Sequence, residues 1–317
     1  MSPADEHVLV DGLSVVVPLY RSAAMLALLL QRTEPVLQRI AREYEIILVN
    51  DCSPDDTWAR LQEEVPRRPR VVALNLSRNY GQHNALLAGI RIARYPLCVT
   101  IDDDLQNPPE EIPRLIKTME EGNYEVVGTV RKGRKDSLFR KIPSKVVNAM
   151  TRKITGVHLN DWGCMLRAYR RGVVENMVRS QEHSTFIPAL AATFAKDITE
   201  IEVAHEERFA GESKYSLAKL ISLHFDLITS FSDFPLKFML YSGFVLAFLG
   251  ITFGIVLAIA RLYFGAPWAA QGVFTLFAIL FFFVGAQFFA FGVMGEYIGR
   301  IYREVKKRPP YTIRRIY

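Results

Sequence analysis

The chain has 317 residues, half of them hydrophobic and 23% charged, which excludes a disordered or fibrous protein and leaves room for one large domain or two ordinary ones. Its 39 Lys and Arg against 33 Asp and Glu give a net charge of +6, but the excess is local. Residues 131–153 hold nine Lys/Arg against Asp136 alone, residues 295–317 hold seven against Glu296 and Glu304, and the remainder is acidic; two patches are not the continuous stripe of a nucleic-acid binder, and they suit an anionic membrane surface.

The first residues, MSPADEHVLVDG, are acidic and have no apolar core, so no signal peptide is expected. From residue 13 to about 130 the pattern alternates. Apolar runs at 13–20, 44–51, 71–77, 95–104 and 124–131 read as strands, and stretches 22–42, 55–65, 81–94 and 109–121 read as helices, the last opened by Pro108-Pro109. Continuous Val/Ile/Leu strands alternating with helices predict an α/β fold with a mostly parallel sheet covered on both faces. In such sheets ligands bind beyond the carboxyl ends of the strands. The residues expected there are Pro18-Leu19-Tyr20, Asn50-Asp51-Cys52-Ser53, Ser77 to Gly81, and Asp102-Asp103-Asp104. Neither GxGxxG nor GxxxxGK[ST] follows the first strand, which argues against a dinucleotide enzyme or a P-loop NTPase.

Three consecutive aspartates after a buried-type strand are the strongest chemical signal. Side chains two apart on a strand point the same way, so Asp102 and Asp104 are expected to converge while Asp103 faces elsewhere. Two hard oxygen ligands suit Mg²⁺ or Mn²⁺ and leave positions for water and a diphosphate. Cys52, Cys98 and Cys164 are far apart with no CxxC spacing. They form neither a disulfide framework nor a zinc site, and indicate a reduced, cytoplasm-facing body. His83 and His205 have no ligand-spaced partners and read as structural.

Further along, residues 136–156 interleave Leu138, Phe139, Ile142, Val146, Val147, Met150 and Ile154 with five cations, the pattern of an interfacial amphipathic helix; 216–231 is a second candidate. Phe238–Ala260 contains no charge and Val273–Gly295 carries Gln287 as its only strongly polar side chain. As helices each reaches roughly 34 Å, enough for a hydrocarbon core of about 30 Å. Only Arg261 is charged between them, whereas Lys237 precedes the first and Arg300, Arg303, Lys306, Lys307 and Arg308 follow the second. The positive-inside rule places both chain ends in the cytoplasm. The expected organisation is a cytosolic domain over 1–210, a loop and interfacial helix over 211–236, two spans within 237–295 and a basic tail over 296–317.

The strand-ending Asp51, the DxD and the membrane hairpin together resemble family 2 glycosyltransferases of the A-type fold, in particular the polyprenyl-phosphate glycosyltransferases. The likeness extends through RNYGQHNALLAG (78–89), DLQNPPEEIPRL (104–115), VVGTVR (126–131), GCMLRAYRR (163–171), STFIP (184–188), GESKYS (211–216), GAPWAAQGVF (265–274) and GEYIGRIY (295–302). It is strongest with bacterial members that move 4-deoxy-4-formamido-L-arabinose from a UDP-sugar to undecaprenyl phosphate, for lipid A modification and polymyxin resistance. The chain departs from the common PVYNE, DDGS and DAD at Pro18–Ser22, Asn50–Ser53 and Asp102–Asp104.

The resemblance implies an inverting, metal-dependent enzyme of the bacterial inner membrane, working as a homo-oligomer. It implies that Pro18, Tyr20, Asp51, Asp102 and Asp103 meet the nucleotide and that Asp102 and Asp104 hold the metal. Arg208, in a 206–216 segment that orders on donor binding, then meets the donor diphosphate or the acceptor phosphate, with Lys214 in the same segment and Arg131 after the fifth strand as further acceptor-phosphate contacts. Asp161 is the catalytic-base candidate. A phosphate monoester with a second pKa of about 6 is already an anionic nucleophile, so Asp161 is better suited to orienting a sugar hydroxyl or holding Arg167. Two other readings remain open: the same chemistry with another sugar, such as glucose, N-acetylglucosamine, mannose or galacturonate, and a non-enzymatic lipid-translocation subunit. Against the second, the spans carry no ionisable residue.

Overall fold

A computed structural model describes residues 9–131, 163–180, 186–203, 234–264, 273–306 and 308–317. The chain divides into two compact units, Met1–Leu220 with Pro309–Tyr317, and Ile221–Arg308.

The first unit is built on an eight-stranded sheet. In chain order its elements are β1 (Val10–Leu19), α1 (Leu26–Ile40), β2 (Ala41–Asn50), α2 (Thr57–Glu64), β3 (Val71–Leu76), α3 (Gln82–Ile92), β4 (Leu97–Thr100) and α4 (Ile112–Glu121), then β5 (Val126–Arg131), β6 (Arg167–Arg170), α5 (Arg171–Arg179), α6 (Ile187–Phe194), β7 (Ile198–Val203) and, at the far end of the chain, β8 (Ile313–Ile316). The strand order is β7-β5-β6-β4-β1-β2-β3-β8. The centre, β4-β1-β2-β3, is parallel, β6 and β8 run antiparallel to their neighbours, and β7 is parallel to β5.

The period of two along the strands divides the core between the two faces of the sheet. Leu13, Val15 and Val17 of β1, with Ile46 and Leu48 of β2, pack with Leu29, Leu30 and Leu37 of α1 and Ile112, Leu115, Ile116 and Met119 of α4. Val16 of β1, with Ile47 and Val49 of β2, packs on the other face with Ala85, Leu86 and Ile90 of α3 and with Val173, Val174 and Leu190. The buried residues of α4 repeat at i, i+3, i+4 and i+7, the spacing of a single core-facing stripe. Close approach of α3 to the sheet depends on Gly89, where an added Cβ would lie 2.9 Å from Val49 Cγ2 and nearer still to Val16.

Pro18 is buried within β1 although that strand is central. Ile101 donates its amide to the Val16 carbonyl, and the β1–β4 ladder ends at Val16–Thr100. The nitrogen of Pro18 faces the same side two residues later, past the last residue of β4, so its missing N–H breaks no ladder bond.

The five strands and four helices read from residues 13–131 are all present, but β4 is shorter than expected. It ends at Thr100, and Asp103 and Asp104 lie in a turn that leaves through Leu105 at φ +54°. The alternation of a strand therefore does not orient the three aspartates; the turn does. β6, β7 and β8 were not anticipated. β6 (RAYR) and β8 (IRRI) have four residues each, half of them arginine, and β8 lies at an edge, where charge discourages pairing with other chains.

In the second unit α7 (Phe234–Phe264) and α8 (Val273–Val305) run beyond the apolar limits of 238–260 and 273–295. They touch around Gly250, where a Cβ would stand 3.5 Å from the Phe283 ring. Phe244, Phe248, Phe288 and Phe289 are each at least 65% exposed, and both helices are long and apolar enough to cross a bilayer. Water would not tolerate so much exposed aromatic surface on two helices, and the pair fits a membrane-associated protein. The final residues do not form a separate basic tail: 296–305 continue α8, and 313–316 are the eighth strand.

Candidate active site at the carboxyl ends of the central strands

The chain lays down β1, β2 and β3 to one side, then crosses back to place β4 against the other edge of β1. That reversal between β1 and β4 is the topological switch point, where a crevice opens beyond the carboxyl ends of the strands. The loops at 20–25, 51–56, 77–81 and 101–108 meet there.

The loops after β1 and β2 are tied together by side chains. The Arg21 amide donates to Ser53 Oγ at 3.2 Å, the Ser22 amide to Thr57 Oγ1 at 3.0 Å and the Ala23 amide to Asp55 Oδ2 at 3.3 Å. Burial alone would raise the Asp55 carboxyl, but hydrogen bonds from the Thr57 hydroxyl and from the Thr57 and Ala23 amides outweigh it and hold the carboxyl below the usual carboxylate range. Arg21 and Cys52 take left-handed backbone at φ +59° and +51°, letting each loop turn sharply as its strand ends. Tyr20 is 46% exposed with the Arg21 guanidinium 5.5 Å from its ring centre; the ring is available at the mouth of the crevice.

Asp51 is 3% exposed. Its Oδ1 accepts the Tyr80 amide at 2.7 Å and its Oδ2 the Gly81 amide at 2.8 Å. Burial pushes its carboxyl up, against the pull of the two amides. Both oxygens thus serve the turn that starts α3, and the carboxylate sits where a helix N-terminus favours negative charge. Gly81, at φ +88°, makes that turn possible.

The three aspartates part company. Ser22 Oγ donates to Asp103 Oδ2. Burial pushes Asp103 up, and the Asp104 charge adds to it. Asp102, half-buried, accepts Gln82 Nε2 at 2.6 Å; Asp104, also half-buried, accepts the Gln106 amide at 3.1 Å. Among the described residues no three His, Cys, Asp or Glu side chains cluster as a metal cage. A pair of hard carboxylates is nevertheless the donor set of an ion that keeps several waters and binds together with substrate phosphates, so Asp102 and Asp104 fit a divalent cation.

Arg131 ends β5 opposite Val203. Asp161, Arg208, Lys214 and His205 lie outside the described residues, as do 136–156, 216–231 and the 206–216 segment. Arg167, named as a partner for Asp161, is 1% exposed in β6. Its Nε donates to the Cys164 carbonyl at 2.9 Å, and its guanidinium lies over Gly128 where any Cβ would intrude. Ser22 and Gln82 were missed in the sequence. The signal for both was position, one just beyond a strand end and the other in the first turn of the helix that follows one, since polar residues there meet whatever the neighbouring strand presents.

His83 packs edge-on to Phe186 with ring centres 4.8 Å apart, and its buried Nδ1 has no hydrogen-bond partner among the described residues. Burial pushes its pKa down to about 4. Because the folded imidazole binds a proton less readily than the unfolded one, the stability it confers is present above about 6.5 and is lost as pH falls towards 4. His83→Phe is expected to remove up to about 3 kcal/mol of that acid destabilisation, seen as a flatter melting temperature between pH 6.5 and 4; an unchanged pH profile would refute the assignment.

Comparison with known proteins agrees with this architecture. Residues 14–178 match the Glycosyl transferase family 2 domain. The chain is 52% identical over 309 residues to the undecaprenyl-phosphate 4-deoxy-4-formamido-L-arabinose transferase of Photorhabdus laumondii, covering 97% of this chain and 94% of the relative. It is 52% identical over 308 residues to the transferase of the same name from Proteus mirabilis, with the same two coverages. Among solved structures, glucosyl-3-phosphoglycerate synthase of Mycobacterium tuberculosis, in complex with Mn²⁺, UDP and phosphoglyceric acid, superposes with a TM-score of 0.51 at 16% identity, over 69% of this chain and 77% of that one. A likeness at that identity speaks for the A-type glycosyltransferase fold alone. With a mixed sheet of that fold, a domain match over half its length and relatives at half identity along nearly all of it, this chain belongs to glycosyltransferase family 2 and is a glycosyltransferase.

Proposed function

We propose that this enzyme transfers 4-deoxy-4-formamido-L-arabinose, with inversion, from a UDP-sugar to undecaprenyl phosphate at the cytoplasmic face of a bacterial inner membrane, a step in lipid A modification and polymyxin resistance. The observation that carries the reading is an overall identity of 52% to relatives so named, in alignments that cover 97% of the chain and so include the two apolar helices as well as the catalytic unit. The phosphate oxygen of the acceptor forms the new bond to the sugar's anomeric carbon from the face opposite UDP, and the bond to UDP breaks with its electron pair leaving on the diphosphate.

Asp102 and Asp104 would hold Mg²⁺ or Mn²⁺, whose positive charge lowers the cost of the charge that builds on the departing diphosphate. Tyr20 offers its exposed ring to the base. Pro18, Asp51 and Asp103 shape the same wall, Asp51 by fixing the 80–81 turn and Asp103 by holding Ser22. Arg131, Arg208 and Lys214 are assigned to the phosphates, where a guanidinium fork suits two oxygens at once. Asp161 orients a sugar hydroxyl, since the acceptor needs no proton removed at neutral pH. On the family resemblance the enzyme is assigned as a homo-oligomer.

Chain connectivity supports the orientation. β1–β7 precede α7 and β8 follows α8, yet all eight belong to one sheet. The intervening chain must therefore cross a bilayer an even number of times, and the cations beside both outer helix ends favour the cytoplasm.

The test is a panel of radiolabelled UDP- and GDP-sugars offered to membranes containing the protein and undecaprenyl phosphate. Label is expected in the lipid extract from the UDP-formamido-arabinose donor, and excess EDTA is expected to abolish it. Transfer of a different sugar in its place would correct the donor, and label undiminished by EDTA would remove the metal.

A further inference from the structure

The C-terminal sequence PPYTIRRIY has no feature of a nucleotide site, yet its backbone is built into the rim of one. β8 closes the exposed edge of β3, pairing Leu74 with Ile316, Asn75 with Arg315 and, across a register shift, Leu76 with Ile313. The pairing continues beyond both ends of the strand. Ala73 and Tyr317 exchange amide-to-carbonyl bonds of 2.9 and 2.8 Å, and the Ser77 amide donates to the Thr312 carbonyl at 2.9 Å. Ser77 is the first residue of the turn that leads into α3.

Side chains reinforce the same junction. The Tyr80 hydroxyl lies 2.9 Å from Ser77 Oγ, bracing the turn from within. The Arg78 guanidinium covers the Tyr80 ring at 4.8 Å. Tyr311 is 8% exposed and packs in the cluster that includes Leu76 and Leu86, against which Tyr80 and Ile313 also lie. Residues 77–81 are thus clamped from the tail on one side, and on the other they deliver the Tyr80 and Gly81 amides to Asp51.

We propose that Pro309–Tyr317 is a positioning segment of the donor site: by fixing the 77–81 turn it sets the two amides that hold Asp51, and so the shape of the wall that receives the nucleoside diphosphate. The inference rests on the donor-site reading above and adds to it Tyr311 and the Thr312 carbonyl, which act through the turn. Removing β8 would return β3 to an open edge, leave the Ser77 amide without its carbonyl and free the Tyr80 ring to turn. The chain that follows the second apolar helix therefore acts on nucleotide affinity and leaves acceptor binding alone.

The experiment uses the full chain in nanodiscs, with UDP binding measured by calorimetry in the presence of Mn²⁺ and KM measured separately for donor and acceptor. Tyr311→Ala, which keeps the backbone bonds of the strand and removes the buried ring packed in the cluster with Leu76, is expected to weaken UDP binding about three- to tenfold. Donor KM should rise in parallel while acceptor KM stays constant. Tyr80→Phe, which loosens the same turn by removing the bond to Ser77, should act in the same direction, and the two effects should not add fully. Deletion of residues 311–317 should weaken UDP binding further; should that form fail to fold, Tyr311→Ala decides the matter. Unchanged UDP affinity in Tyr311→Ala overturns the proposal, as does a fall in melting temperature or active fraction at constant donor KM, the mark of a purely structural strand. Wild-type protein that does not bind UDP would instead bring down the donor-site reading, and this inference with it.

Discussion

Asparagine at position 102 or 104 is expected to lower kcat/KM for sugar transfer roughly 10²- to 10³-fold while leaving the melting temperature within about 1 °C, in keeping with the usual cost of losing one group that stabilises developing charge. Both carboxylates are half-buried in a turn outside the ladder of β4, so no core contact is lost. Asparagine also keeps a carbonyl oxygen able to accept from Gln82 or from the Gln106 amide, the partners seen here. What disappears is one negative charge and one strong metal donor. Mn²⁺ binding in the presence of UDP, followed by electron paramagnetic resonance, should weaken in step with kcat/KM. Asp103→Asn should behave differently, because that carboxylate faces the loop after β1, where the Ser22 hydroxyl meets it. It should raise donor KM and leave Mn²⁺ affinity in the UDP complex largely intact. Equal effects at all three positions would show that the turn does not separate their roles.

The second large effect is expected at Asp51, where asparagine should be nearly as damaging as alanine. Two different oxygens receive two different amides, and an amide side chain has one acceptor oxygen and one NH₂. Whichever way it is turned, an N–H faces an N–H. Losing charge-assisted bonds at a site 3% exposed costs about 1.5–3 kcal/mol each. The relief of no longer burying a carboxylate offsets part of that, and a net loss of about 2 kcal/mol is expected for both variants by thermal or denaturant unfolding. UDP affinity should fall with it, because the 80–81 turn forms part of the same rim. The pH dependence gives a separate check. The folded Asp51 carboxyl is pushed up by burial, so its share of stability is full below the ordinary value and declines as pH rises through the raised one. Asp51→Asn should remove that decline. An Asp51→Asn protein as stable as wild type would mean that the two amides find other partners.

How far the site could be read in advance varied residue by residue. Asp51, Tyr20 and the three aspartates were recognisable because apolar runs ending in polar clusters mark where strands leave a sheet. What each does there was less accessible. A strand ending at Asp104 would have aimed Asp102 and Asp104 by alternation; with β4 ending at Thr100 and Leu105 in left-handed backbone, hydrogen bonds to Gln82, Ser22 and Gln106 set their directions instead. Asp51 was expected to meet the nucleotide, but no strand-end pattern announced that its two oxygens receive backbone amides from residues 29 and 30 positions further on. Such pairings depend on which strands become neighbours, and no local pattern encodes that.

By itself the sequence determined the alternating α/β body, the two long apolar helices and the family, because hydrophobic periodicity and motif content are local properties that survive any arrangement of the elements. Only the tertiary structure decided the crossover that sets β4 beside β1, and with it the crevice between Tyr20 and the aspartate turn. It also decided the return of Ile313–Ile316 to the edge of β3. A four-residue strand carrying two arginines buries too little on its own to declare itself; its order comes from the edge amides and carbonyls of a partner more than 230 residues earlier, which exist only once the sheet has formed.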